Sequence, residues 1–261
     1  MDGLNNQVSV LICSYDGAKE MWAPLEKAYQ KYWPDCPFEI NLLTNFELPK
    51  TRKFIPISIG GEISWSEKIL KCLDKINSDY ILLTYDDLFF YKNVNNEKVV
   101  DFVNFAVQNQ LDYLSLMPHI KLNPNLKKCN GIFKLEKRRQ YRNSSPWSIY
   151  KKEVLCSLLK PGESAWQFEK LGSYRSENFE EFYSVDADVF FWLNAIVRGK
   201  WKPNEYKKLI EEELIQSTSI PIMSPLKNLR RNVHMGTFNL LRRVLPLSVA
   251  YRIARIKDKF F

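Results

Sequence analysis

The sequence predicts an α/β protein, a three-layer α/β/α sandwich with a central, mostly parallel sheet, a smaller second subregion and a C-terminal helical tail. Two observations carry this. Strand-like and helix-like segments alternate through residues 1–118, the order that builds a parallel sheet from crossover units. The strand-like segments are also short and almost wholly apolar, as in Tyr80-Ile-Leu-Leu-Thr-Tyr85, the pattern of strands covered on both faces. A third feature locates the working edge. That run ends in two adjacent acids, Asp86 and Asp87, and ligands of open α/β sheets bind beyond the carboxyl ends of the strands. Acids after a strand also serve as turn formers or helix caps, and the bare pair is compatible with either use.

Gln7 to Cys13 reads as the first strand, followed by the polar turn Ser14-Tyr15-Asp16-Gly17. A helix is expected to begin near Pro24, a residue tolerated in a first turn, and to run to Tyr32 with Leu25, Ala28, Tyr29 and Tyr32 on one face before Pro34 stops it. Phe38 to Leu43 and Phe54 to Ile59 are further strand candidates. Ser64-Trp65-Ser66-Glu67 has capping-box spacing, and Trp65, Ile69, Cys72, Leu73 and Ile76 recur at helical intervals behind it. Beyond the two aspartates, Asn96 opens a helix with Val99, Phe102, Val103 and Ala106 as its apolar stripe, and Leu111 to Met117 is again a strand. The order then changes. Ile132 to Lys134, Gln140 to Arg142 and Ser148 to Tyr150 read as short strands, and Lys152 to Leu159 and Ala165 to Leu171 as short helices separated by Pro161-Gly162. Val189 to Val197 suits strand or helix, Arg198 to Trp201 a turn, and Glu205 to Ile215 a polar helix. The expected organisation is a main domain over residues 1–226, in halves 1–118 and 119–226, and a tail over 227–261.

Composition excludes several classes. With 261 residues and 45% hydrophobic content the chain supports a large core. The first residues have neither the basic nor the apolar region of a secretory signal, and no apolar stretch approaches the ~20 residues that span a bilayer. Five scattered cysteines without a C-x-x-C pair argue against a disulfide framework or zinc site and for a reducing, cytoplasmic setting. Only two histidines, His119 and His234, disfavour a His-based triad. The tail holds nine Lys and Arg against one acid, Asp258, which accounts for the whole net charge of +8. The main body is therefore not expected to bind nucleic acid. Within the tail Val249, Ile253, Ile256 and Phe260 share a face beside Arg252, Arg255 and Lys259. Such a helix either lies on an anionic membrane surface or packs its apolar stripe on the domain.

Two constellations could carry chemistry. Strands ending in Ser14-Tyr15-Asp16 and in Asp86-Asp87 would bring both polar loops to one sheet edge, offering an acid for base or ribose, an aromatic for stacking and carboxylates for a divalent cation that offsets a diphosphate. Trp65 and Lys68 begin the helix that leads into the Asp-Asp strand, where Lys68 would reach a phosphate. Downstream, Trp166-Gln-Phe-Glu169 puts a carboxylate between aromatic residues, an environment that raises its pKa toward the range of a general base. Trp147 and Trp166 are candidates for stacking on sugar rings.

The series Val10-Leu-Ile-Cys-Ser-Tyr-Asp16, Tyr32-Trp-Pro34, Trp65-Ser-Glu-Lys-Ile-Leu70, Tyr80 to Phe90, Trp147, Trp166 to Glu169 and Arg198-Gly-Lys-Trp201 resembles bacterial nucleotide-sugar-dependent glycosyltransferases of the GT-A fold, of the type that assembles surface polysaccharide such as capsule and O-antigen. The resemblance covers residues 8–201 and departs from it at Tyr85-Asp86-Asp87, which replaces Asp-x-Asp. It implies transfer of a sugar from a nucleotide-sugar donor to a glycan or lipid-linked acceptor by a protein peripheral to the inner face of the cytoplasmic membrane. By it, Asp87 and Asp86 would hold Mn²⁺ or Mg²⁺, with Asp86 also serving the donor ribose; Ser14, Tyr15, Asp16, Trp65 and Lys68 would line the donor site; Glu169 would be the base; Trp147 and Trp166 would meet the acceptor. The alternatives are a metal-dependent nucleotidyl- or phosphotransferase, against which no glycine-rich phosphate loop is present, and a non-catalytic carbohydrate-binding protein.

Overall fold

A computed structural model describes residues 7–129 and 131–258. Four parallel strands, β1 (Val8–Cys13), β2 (Glu39–Thr44), β3 (Ile55–Ser58) and β4 (Tyr80–Tyr85), lie in the order β3-β2-β1-β4. The same sheet continues past β4 through β9 (Ser148–Lys151), β6 (Tyr113–Ser115), β10 (Phe182–Val185), β8 (Ile132–Lys134) and β7 (Lys127–Cys129). β9 runs antiparallel to both of its neighbours, β6 and β10 are parallel, and β8 and β7 close the edge in antiparallel fashion. The fold is therefore mixed α/β, with a large central sheet that is mostly parallel in its core.

Side-chain alternation along the strands explains both helical layers. Val10, Ile12, Leu42 and Leu82 face one cluster with Leu25 and Tyr29 of α1 (Lys19–Tyr32) and Val99 and Val103 of α3 (Asn96–Gln108). The intervening Leu11, Cys13, Leu43 and Leu83 face a second cluster with Ile69 and Cys72 of α2 (Trp65–Leu73), Leu155 of α4 (Lys152–Leu158) and Phe168 of α5 (Ala165–Arg175). Burial on both faces is why these strands show no polar alternation in the sequence.

Several elements depart from expectation. α1 starts at Lys19, with Pro24 inside it. Met21 and Trp22 are buried, so the apolar face extends a turn before the proline and packing outweighs the lost backbone hydrogen bond. Gln140 to Arg142 is a turn, not a strand. There the fully buried Arg142 guanidinium donates to the carbonyls of Leu135, Ser176 and Phe179 and lies 4.3 Å over the Phe182 ring, tying the loop before β9 to the end of α5. Val189 to Val197 is extended: β11 (Trp192–Asn194) pairs antiparallel with β5 (Leu88–Phe90), and β12 (Ile196–Val197) forms a hairpin with β13 (Lys200–Trp201). Its turn residues Arg198 and Gly199 both have positive φ, 51° and 67°, as a two-residue hairpin turn requires. A polar helix, α6 (Pro203–Glu211), follows.

The tail forms two helices, α7 (Pro225–Val244) and α8 (Leu247–Asp258), broken at Leu245-Pro246. α8 is fastened to the domain by Tyr251, which is buried edge-on against Tyr174 and bonds Glu177 through its hydroxyl, while Lys121 Nζ donates to the Leu245 carbonyl at 2.5 Å. Val249 and Ile253 of the expected stripe remain exposed. Arg255, Ile256, Lys259 and Phe260 lie outside the residues whose side chains are described. No helix among the described residues is long and apolar enough to cross a membrane.

Replacing Arg142 with alanine strands three carbonyls that now share one buried cation. Arg142→Ala is expected to destabilise the protein by about 3 kcal/mol, read as a lower midpoint in urea denaturation with an unchanged slope.

Candidate functional site

The pairing register of β1 with β4 sets the site. Cys13 lies directly across from Tyr85, so the next residues along each parallel strand, Ser14 and Asp86, leave the sheet side by side. Ser14 Oγ donates to Asp86 Oδ2 at 2.5 Å and accepts the Trp22 indole N–H at 2.7 Å. Asp86 is thereby held by a relay that begins in α1.

Both acids are half-buried. Burial and the adjacent Asp87 charge push the Asp86 carboxyl up to about 8 against the Ser14 hydrogen bond. Burial raises Asp87 to about 6, with Lys202 drawing it back down. The Asp87 carbonyl accepts the Ala195 N–H at 2.9 Å, beside the β5–β11 ribbon. Lys202 is anchored close by, donating to the Asn194 carbonyl at 2.7 Å and pairing with Glu205. Sequence reasoning passed over Lys202 because only the ribbon brings residues 115 positions apart together.

Asp16, an expected donor contact, is also the anchor of a neighbouring loop. Its Oδ1 accepts the Asn45 N–H at 2.9 Å and its Oδ2 accepts those of Phe46 and Glu47 at 3.0 and 3.3 Å. It staples the loop after β2 to the loop after β1. Tyr15 is exposed, with Lys68 Nζ 5.7 Å over its ring. The ring lies against Gly17, where an added Cβ would push it aside. Lys68 also donates to Asn45 Oδ1 at 3.3 Å, and partial burial lowers its pKa against the nearby Asp16 and Glu62. Trp65 follows the capping box of Ser64 and Glu67 and stacks on Tyr85, centroids 6.3 Å apart, with a tilted contact to Phe168.

Antiparallel β9 delivers the second constellation. Ser148 pairs with Leu83, so the preceding residues emerge at the edge that carries Asp86 and Asp87. Glu169 on α5 points to them: its Oε1 accepts the Ser145 N–H at 2.8 Å, the Ser145 hydroxyl at 2.9 Å and the Ser144 hydroxyl at 3.4 Å. Ser145 Oγ lies 2.6 Å from the Tyr85 hydroxyl, linking Glu169 to the residue before the acid pair. An unanticipated capping box, Ser164 with Gln167, starts α5 and fixes where Glu169 falls. The spacing S-x-x-Q was its signal. Ser144 and Ser145 had none, since serines before a strand are commonplace.

The two tryptophans separate. Trp166 is 71% exposed, one turn before Glu169 on α5. Trp147 is completely buried against Phe90 and Phe190, at centroid distances of 4.9 and 4.4 Å and with φ at 48°. The expectation that it stacks on an acceptor sugar is corrected: its ring is part of the core, because turning into β9 drives the side chain inward.

Among the described residues no group of three or more His, Cys, Asp and Glu converges as a metal cage. The chemistry of the pair nonetheless fits a divalent cation. Mg²⁺ and its analogues are held by one or two carboxylates together with substrate phosphates and water, and the mutual repulsion of Asp86 and Asp87 is what such a charge relieves.

No family model and no curated protein matches the chain. Solved structures overlap with it more broadly. A structure of S. aureus TarS is 16% identical, with 79% of this chain and 38% of that one covered at a TM-score of 0.48. Glucosyl-3-phosphoglycerate synthase from Mycobacterium tuberculosis, in complex with Mn²⁺ and UDP-glucose, is 12% identical over 82% of this chain and 80% of its own, with a TM-score of 0.48. A UDP-glucose pyrophosphorylase complexed with UDP-glucose is 7% identical over 72% and 91%, with a TM-score of 0.46. The chain thus spans well under half of the TarS structure. Overlaps of this quality carry no functional argument.

The raised carboxyls make stability depend on pH. An unfolded Asp86 ionises near 3.8 and the folded one near 8, so between these values the unfolded chain has released a proton that the folded protein keeps, and rising pH favours unfolding. Asp86→Asn, whose amide oxygen still accepts the Ser14 hydroxyl, is expected to raise Tm in chelator-containing buffer by about 5 °C at about pH 8 and by much less at about pH 5, measured by calorimetry.

Proposed function

We propose that the protein is a glycosyltransferase that moves a sugar from a nucleotide-sugar donor to a hydroxyl of a polysaccharide or lipid-linked glycan in cell-surface polysaccharide biosynthesis. The observation that carries this reading is the convergence of two kinds of carboxylate at one sheet edge: a half-buried Asp86-Asp87 pair braced by Ser14, and a separate Glu169 joined to Tyr85 through Ser145. Charge stabilisation of a diphosphate and deprotonation of an acceptor are different tasks, and they need acids in different settings.

In this reading Asp87, supported by Asp86, holds Mn²⁺ or Mg²⁺, which would supply charge neutralisation for the diphosphate. Tyr15, Trp65 and Lys68 border the donor, with Tyr15 presenting an exposed ring and Lys68 a cation beside it. Glu169 accepts the proton of the attacking hydroxyl as its oxygen bonds the anomeric carbon. The bond from that carbon to the diphosphate breaks, and the nucleoside diphosphate leaves with the electron pair. In an inverting reaction the attack is in line with the departing group. Exposed Trp166 offers the acceptor a stacking platform one turn from the base.

Work on lipid-linked acceptors calls for attachment to a membrane, and we assign this to the tail, on the inner face of the cytoplasmic membrane. Leu226, Leu229, Val233, Leu240 and Val244 form one stripe of α7 and are all 59–70% exposed. No acid occurs between Pro225 and Lys257, whereas Lys227, Arg230 and Arg231 accompany the stripe. An apolar stripe bordered only by cations suits an anionic lipid surface. Tyr251 would hold α8, and with it the domain, at a fixed distance from that surface.

Three outcomes are expected. In a thermal-shift panel of UDP-, GDP-, ADP- and dTDP-sugars, one donor stabilises the protein with Mn²⁺ and not with chelator; stabilisation by free glycans alone would identify a binding module, and turnover of a nucleoside triphosphate with a sugar phosphate a nucleotidyltransferase. With the donor so found, Asp87→Ala and Glu169→Gln each cut transfer by about 10³-fold or more while the fold is retained; normal turnover in either removes that residue from its role. Leu229→Glu combined with Leu240→Glu reduces co-sedimentation with phosphatidylglycerol vesicles and leaves turnover of a water-soluble acceptor unchanged.

A further inference from the structure

We infer that Ser145, backed by the Tyr85 hydroxyl, is a positioning residue that aims Glu169 and couples the base to the acid pair. The inference rests on the reading of Glu169 as base. Ser145 gives Glu169 Oε1 two hydrogen bonds, from its N–H at 2.8 Å and its hydroxyl at 2.9 Å, and Ser144 adds a longer one. Donors converging on one oxygen fix both the plane and the rotation of the carboxylate, and so the direction that Oε2 faces. A glutamate side chain otherwise has three rotatable bonds to freeze before it can meet an acceptor hydroxyl.

A serine hydroxyl has one hydrogen. Ser145 spends it on Glu169, so the 2.6 Å contact with Tyr85 must run the other way, with the phenol donating to Ser145 Oγ. The result is a directed chain from Tyr85 to Ser145 to Glu169 Oε1. Each member is immobilised by something else: Tyr85 ends β4, directly before Asp86, and its ring stacks on Trp65; Ser145 precedes β9, whose register with β4 is fixed at Ser148 and Leu83; Glu169 rides on a capped helix. Any shift of the β4 exit on donor binding would therefore be transmitted to the base by two hydroxyl contacts. Among the titratable groups that face Glu169 are the phenols of Tyr85 on β4, Tyr113 on β6 and Tyr150 on β9, each of which burial holds neutral.

The test is steady-state kinetics, with the donor from the panel, on Ser145→Ala, Ser145→Thr, Tyr85→Phe and Glu169→Gln. Ser145→Ala is expected to lower kcat about tenfold or more with donor KM within about twofold, and to move the acid limb of the pH profile upward, because the ionised carboxylate loses a hydrogen bond. Tyr85→Phe, which keeps the ring on Trp65, produces a smaller change in the same direction, and Ser145→Thr, which keeps the hydroxyl, restores most of kcat. Turnover in Glu169→Gln would overturn the reading of Glu169 as base. An inactive Glu169→Gln beside a Ser145→Ala with unchanged kcat and pH profile would overturn the positioning role alone. Should Ser145→Ala lose Tm, the comparison of Tyr85→Phe with the parent decides: an unmoved kcat and pH limb sinks the coupling, and a shift in both sustains it.

Discussion

Everything at the candidate site depends on the hydrogen-bonded register among β1, β4 and β9. Parallel pairing of Cys13 with Tyr85 puts Ser14 beside Asp86, and antiparallel pairing of Leu83 with Ser148 brings Ser144 and Ser145 back to the same edge. A slip of one residue in either ladder would invert the faces of a whole strand and bury the wrong set of side chains. Because both faces of β1 and β4 carry apolar residues packed under helices, the core enforces the register strongly. The positions of the polar groups are inherited from apolar packing.

That arrangement opposes stability locally. Two half-buried carboxyls pushed up in pKa, one to about 8 and one to about 6, are groups the fold partly desolvates against their preference. Trp147 adopts a left-handed backbone conformation in the turn that leads into β9. The compensations are nearby: the Trp22 to Ser14 to Asp86 relay, the Asp16 staple across the exits of β1 and β2, the aromatic cluster of Trp33, Phe90, Trp147 and Phe190, and the Arg142 guanidinium that closes the loop before β9. An edge built with stored electrostatic tension and a rigid frame suits a site that receives a charged ligand.

Local signals in the sequence match the structure where local physics decides. The Ser64 to Glu67 capping box is present with both of its hydrogen bonds, and the apolar run from Tyr80 to Tyr85 is a strand in the middle of the sheet. The structure departs from those signals where contacts distant in sequence outweigh local preference. Pro24 lies inside a helix because Met21 and Trp22 are needed in the core, and Arg142 sits in a turn because carbonyls from residues 135–179 surround it. Asp16 accepts three backbone N–H groups of the loop after β2, a contact that no stretch of sequence around it announces.

By itself the sequence determined the alternation of elements, the layer class and the acid pair at a strand exit, since periodicity and turn chemistry act over a few residues and are written in consecutive positions. It also set the basic, apolar-striped character of the tail, which is a matter of composition and spacing. Only the tertiary structure decided which of the candidate groups meet. It joined Glu169 to Tyr85 through Ser145, set Lys202 near Asp87, withdrew Trp147 into the core and left Trp166 outside. The physical reason is that hydrogen bonds and burial depend on strand register and helix docking, which are settled by the packing of the whole chain and by no single stretch of it.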